Sequence, residues 1–240
     1  MGLSGYLPVP NVVVHLVASV TMVYSVYYNY THVNIPTHVN PIPNAYGGQF
    51  KYLTFLDGCF LALYFTYALI EDICSIVSSS KTPTFDKLSQ VKSCFFACIV
   101  FPGSTFVSTM FWGLYFLDRN LVMPKYLDVY FPSWLNHTMH TFVSVFACLE
   151  MITAYRPYPS RVHGLRITSS YILTYFVWIH IVYSQCNLWV YPILSQLNMF
   201  YRTLFFLGLF IHSASLYLIG EYTNLKLWDF QRQKIQEKHQ

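Results

Sequence analysis

Two separated stretches of this chain hold side chains that could break an acyl bond. Thr54 stands in "KYLTFLD" at 51–57, and His137 and His140 stand three apart in "WLNHTMHT" at 134–141. A threonine hydroxyl attacks a carbonyl carbon only if a base within hydrogen-bond reach takes its proton, and imidazole does this well near pH 7. With Thr54 as nucleophile and His140 as base, the product would be ester cleavage. Asp57 lies one turn from Thr54, and Asn136, His137 or the backbone amides of Gly47 and Gly48 could donate to an oxyanion. The same histidines permit another chemistry. His137 and His140 share a helix face, and His180 could complete a three-ligand metal site with a bound water. An H-x-x-H spacing without H-E-x-x-H is weak support for a metal. Structure alone could also account for Thr54, since a threonine in a membrane helix often bonds the carbonyl three or four residues back. The residues by themselves leave these readings open.

The elements that must position these groups are set by composition. The 240 residues are 55% hydrophobic, 19% aromatic and only 10% charged, whereas soluble domains carry about a quarter charged residues. The apolar runs are long enough to cross a hydrocarbon layer of about 30 Å and show no strand-like alternation. They predict an all-α polytopic membrane bundle of about six spans in one domain, at 12–28, 52–77, 94–117, 134–154, 167–185 and 199–221, with a tail from 222 to 240. The first run has no basic segment before it and no small-residue cleavage site after it, so it reads as a retained helix. The six cysteines, Cys94 and Cys98 at i, i+4 among them, read as small apolar side chains. The net charge of +4 comes from loops and tail, with no basic stripe interleaved with aromatics, so nucleic acid is not an expected partner and lipid is.

The charge bias sets the orientation. Ten basic residues (Lys81, Lys87, Lys92, Arg156, Arg161, Arg166, Lys226, Arg232, Lys234 and Lys238) fall on one side of the expected spans and four (Lys51, Arg119, Lys125 and Arg202) on the other. Both termini are therefore expected in the cytosol. Spans two and four then start from the non-cytosolic face. At about 1.5 Å per residue, Thr54 and His140 lie within roughly 10 Å of the same interface, and His180 falls in the same half. Glu71, Asp72, Glu150 and Glu221 gather toward the other face, where ion pairing explains them. His15 and His212 read as packing histidines. A glycosylation sequon, Asn29-Tyr30-Thr31, falls in the first non-cytosolic loop. A transporter or scaffold is a third reading, but no inverted repeat is evident and the polar residues crowd one interface instead of the midplane.

"YGGQFKYLTFLD" at 46–57, "FWGLYFLDRNLVMPKYLDVYFPSWLNHTMHT" at 111–141, "YPSR" at 158–161, "LWVYPIL" at 188–194 and "YLIGE" at 217–221 occur in order along the chain. Together they resemble the androgen-induced-gene family of integral membrane proteins, which also includes the androgen-dependent regulator of tissue factor pathway inhibitor. The resemblance implies a multi-pass threonine hydrolase, without a cofactor, that cleaves fatty acid esters of hydroxy fatty acids in the endoplasmic reticulum or plasma membrane. It places the nucleophile of an L-T-F motif on Thr54 and the catalytic histidine of an N-H-x-M-H-T motif on His140. Thr138 stands where the motif usually has glycine, and the first loop is long and proline-rich. Phe55, Phe111 and Phe142 are expected to line the acyl tunnel.

Overall fold

A computed structural model of the protein describes residues 8–77 and 83–229. Its helices are α1 (Pro8–His32), α2 (Leu53–Val77), α3 (Pro83–Phe95), α4 (Phe101–Asp118), α5 (Ser133–His137), α6 (Val143–Thr153), α7 (Arg161–Cys186), α8 (Pro192–Gln196) and α9 (Met199–Leu227). No strand occurs among the described residues. A chain this apolar must pair its backbone groups within each segment, and the helix does so completely. Polar residues mark the ends: Asn187 leaves α7 with φ 54°, and the Asn198 side chain accepts from the Tyr201 amide at 3.0 Å to start α9.

Two π-helical turns, at Phe96–Val100 and Thr138–Phe142, join α3 to α4 and α5 to α6 into longer rods. Among the described residues, five helices are long and apolar enough to cross a membrane: Asn11–His32, Leu53–Val77, Lys87–Leu121, Arg161–Cys186 and Met199–Leu227. The span expected at 134–154 is not among them. Its rod, Ser133–Thr153, is helical throughout, but Asn136, His137, His140 and Glu150 dilute its hydropathy. Several of the five also run beyond their expected limits, as α1 does by reaching His32 and α9 by reaching Leu227. Residues 230–240 of the expected tail, and Lys81, Arg232, Lys234 and Lys238 of the charge count, lie outside the described residues.

Helices α1 and α2 pack antiparallel in a fixed register. His15 meets Asp72 at 2.6 Å, Ser19 meets Thr66 at 2.8 Å, and the Tyr30 and Phe55 rings stack with centroids 6.3 Å apart. Gly58 lets α1 and the second π turn close in, since a Cβ there would stand 3.3 Å from Val26 and 2.8 Å from Met139. Helix α7 meets α9 as tightly, because a Cβ on Gly164 would lie 1.9 Å from the Tyr217 hydroxyl. Val20, Ile76, Val177 and Phe200 point outward, as lipid-facing side chains do.

The bundle has two chemically distinct ends. At one, His15 bridges Asp72 and Glu150, and Glu150 Oε1 accepts from Tyr64 at 2.6 Å and from Arg156 at 2.7 Å. Asn224 of α9 donates to the Arg156 carbonyl at 3.0 Å. Lys92 pairs with Glu71 and Arg161 with Glu221. The four acidic residues assigned to ion pairing from the sequence are therefore paired here, and His15 is a bridging group. Thr54 and His140 lie at the other end.

Candidate active site

Thr54 is the second residue of α2, just after a 3-10 turn at Gly48–Lys51. The chain before it is held by a buried cation. Lys51 is completely buried, and its Nζ donates to the carbonyls of Pro43, Ala45 and Gly48 at 3.0, 3.3 and 2.7 Å. Burial pulls the Lys51 ammonium down to about 8, so at neutral pH it keeps the three protons those carbonyls accept. The Tyr175 hydroxyl donates to the Lys51 carbonyl at 3.0 Å, and the Leu53 amide donates to the hydroxyls of Tyr175 and Tyr191, each at 3.1 Å. The start of α2 is thereby fixed to α7 and to the segment leading into α8.

His140 sits in the second π turn and is 7% exposed. Turns of this kind re-aim side chains and are frequent at functional sites. The Asn136 carbonyl lies 2.9 Å from His140 Nδ1. A carbonyl can only accept, so Nδ1 carries the proton and Nε2 presents its lone pair. That Nε2 is 3.3 Å from Thr54 Oγ1. The Phe111 ring stacks on the imidazole with centroids 3.5 Å apart and planes 15° from parallel.

Thr54 and His140 line a cavity of about 210 Å³ whose other walls come from α1, α4, α7, α8, α9 and the intervening loops. Val33, Met110, Phe131, Ile179 and Leu209 are among its apolar lining. Phe55 and Phe111 line this cavity, but Phe142 is 44% exposed and packs its ring on Phe146 outside it. Two residues along a helix point to nearly opposite faces, so His140 and Phe142 cannot both face inward.

The remaining expected residues are distributed around the pair without joining it. Asp57 is buried behind Thr54, where Ser104 donates to Oδ1 at 3.1 Å. It makes no hydrogen bond to His140. Asn136 acts through its carbonyl, and its side-chain oxygen has no partner among the described residues. His137 is exposed, stacks on Trp112 at 5.4 Å and lies 3.3 Å from the Thr141 hydroxyl. Gly47 and Gly48 both have positive φ, 88° and 52°. Gly47 packs under Trp178 and the Gly48 amide donates to the Ala45 carbonyl at 3.2 Å, so these glycines turn the loop. His180 is exposed and lies 2.7 Å from the Phe176 carbonyl, beside Trp189. His137, His140 and His180 do not converge, and no group of three His, Cys, Asp or Glu among the described residues could hold a metal ion. Thr138 spends its hydroxyl on the Trp134 carbonyl at 2.8 Å.

The sequence reading missed Lys51, the Tyr175–Tyr191 pair and Asn29. The only available signal was a lysine and tyrosines next to apolar runs, which is also what an ordinary interfacial belt looks like. Asn29 is a correction. It lies within α1, not in a loop, and its buried side chain lines the cavity.

An all-helical, multi-span membrane protein with a hydroxyl and an imidazole facing an apolar cavity between its helices is the class these features define. More particularly, the chain belongs to the FAR-17a/AIG1-like protein family, whose family model matches residues 11–225. It is 34% identical to the human androgen-induced gene 1 protein over 219 residues, covering 89% of this chain and 90% of that protein. It is 39% identical over 182 residues to the androgen-dependent TFPI-regulating protein of Mesocricetus auratus, with 76% and 78% covered. A membrane protein of Schizosaccharomyces pombe is 25% identical over 208 residues. No solved structure matches the chain.

Proposed function

We propose that the protein is a membrane-embedded carboxylic ester hydrolase that cleaves fatty acid esters of hydroxy fatty acids, with Thr54 as nucleophile and His140 as base. The observation that carries this reading is the 3.3 Å approach of Thr54 Oγ1 to an Nε2 whose tautomer is set by the Asn136 carbonyl, inside an apolar cavity. Thr54 Oγ1 bonds to the ester carbonyl carbon as its proton passes to His140 Nε2, and the carbonyl π electrons move onto oxygen. As that oxyanion collapses, the bond from the carbonyl carbon to the ester oxygen breaks. The departing alkoxide takes the proton from His140 and leaves as the hydroxy fatty acid. Water then attacks the acyl-threonine with His140 again as base, releasing the second acid and restoring Thr54. The apolar walls suit acyl chains, and family membership agrees with this reading through the motifs that carry the resemblance.

In this reading the rod Ser133–Thr153 is a sixth membrane helix, both termini are cytosolic, and the reacting pair lies near the non-cytosolic face of the endoplasmic reticulum or plasma membrane. The test is hydrolysis of a palmitic acid ester of hydroxystearic acid by proteoliposomes, read as released acid by mass spectrometry. Thr54→Ala and His140→Ala should each remove at least about 100-fold of the rate, as expected for losing a nucleophile or its base. Retention of full turnover by either variant refutes the assignment, and solute flux without ester cleavage would point to a transporter.

A further inference from the structure

A hydrolase built on Thr54 needs donors for the oxygen that becomes negative when the carbonyl is attacked, and the donors expected from the sequence do not supply them. Asn136 and His137 do not line the cavity, and Gly47 and Gly48 shape the loop. The molecule offers two other groups.

One is the Thr54 amide. The first amides of a helix lack acceptors within it. In the first turn of α2, Leu53 donates to the two tyrosine hydroxyls, while Phe55 and Leu56 both reach the Tyr52 carbonyl, at 3.1 and 3.2 Å. Thr54 alone in that turn has no acceptor among the described residues. The other is Asn29. It is 5% exposed, lines the same cavity as Thr54 and His140, and its Oδ1 is sealed off without a partner among the described residues. Its side chain makes no hydrogen bond with any of them. The α1/α2 register puts it at the right depth. Val26 packs on Gly58 and Tyr30 on Phe55, so Asn29 lies opposite the first turn of α2. A buried amide without partners is costly to keep, and a half-turn about its last bond exchanges donor for acceptor with little change of shape. The other side-chain amides on the cavity wall, Asn40 and Gln49, are only partly buried and belong to the loop and the 3-10 turn before α2.

We infer that the Asn29 carboxamide and the Thr54 amide together form the oxyanion hole, with Asn29 Nδ2 donating to the substrate's carbonyl oxygen as Thr54 attacks. This rests on the hydrolase reading. It makes Asn29 a catalytic residue and removes it from the candidates for glycosylation. Helix α1 thereby contributes a reacting-atom contact, although it carries neither nucleophile nor base.

The experiment compares Asn29→Leu, which is close in size but has no donor, and Asn29→Ala with wild type and Thr54→Ala, all full-length in proteoliposomes. Both Asn29 variants should lower kcat by about 10²- to 10³-fold, the usual loss for one oxyanion donor, with KM changed less than about threefold. A trifluoromethyl ketone analogue, which mimics the tetrahedral adduct, should lose affinity in parallel, while an uncleavable ether analogue should bind as before. Melting temperatures should stay within about 2 °C of wild type, because the amide has no protein partner to lose. If Thr54→Ala is inactive but the Asn29 variants turn over normally, the hydrolase reading stands and the oxyanion assignment falls. Failure of both Asn29 variants to fold also overturns the assignment, since it makes the amide a structural group. Absence of wild-type hydrolysis removes the reading on which both depend.

Discussion

Replacing Phe111 separates orientation of the base from its chemistry. The imidazole of His140 is held by two contacts: the 2.9 Å bond to the Asn136 carbonyl and the stack on Phe111, with centroids 3.5 Å apart. Phe111→Leu keeps an apolar wall but removes the stack. An aromatic pair contributes about 0.5–1.5 kcal/mol beyond area burial. If that energy holds the ring toward Thr54, its loss should reduce kcat by about 2- to 13-fold, at about 1.4 kcal/mol per tenfold. Phe111→Ala should in addition destabilise the fold by about 3–5 kcal/mol, because the ring is buried and its removal leaves a cavity. The assay pairs steady-state hydrolysis in proteoliposomes with thermal unfolding in detergent. An unchanged kcat in Phe111→Leu would show that the backbone bond alone orients the ring. A loss beyond about 1,000-fold would give the phenyl group a role that stacking cannot explain.

Further outcomes follow from other contacts. Glu150→Gln leaves Arg156 and His15 buried against a neutral partner, and should lower unfolding free energy by about 3–5 kcal/mol; a loss under about 1 kcal/mol in detergent melts would contradict the network's role. Gly164→Ala places a methyl against the buried Tyr217 ring and should cost about 1–3 kcal/mol, which an unchanged melting curve would refute. Thr31→Ala, which destroys the Asn29 sequon, should leave electrophoretic mobility unchanged with or without glycosidase, since Asn29 is buried in α1; a shift would mean that the amide reaches the glycosylation machinery. Chelators should not reduce ester hydrolysis, and a loss restored by zinc would revive the three-histidine reading.

The all-helical class was legible because hydropathy follows from composition over windows of about 20 residues and needs no partner. The place of the sixth rod was less so, since the groups that make 134–154 interesting are those that lower its apolarity. The membership in its family was readable from ordered motifs spread over most of the chain. Asn29 shows where linear reading stopped: as a tripeptide it is a sequon, and only the packing of α1 on α2 turns it inward.

The amino-acid order alone determined which segments are apolar, which loops are basic, and therefore that Thr54 and His140 enter the bundle from one side at similar depth. Depth is one coordinate. Which way each side chain faces around its helix was decided by tertiary structure. A π turn re-aims His140, the Asn136 carbonyl selects its tautomer, and Lys51 with the Tyr175–Tyr191 pair fixes the start of α2. These contacts join residues up to 138 positions apart, and their geometry depends on the packing of whole helices, which no local window of sequence contains.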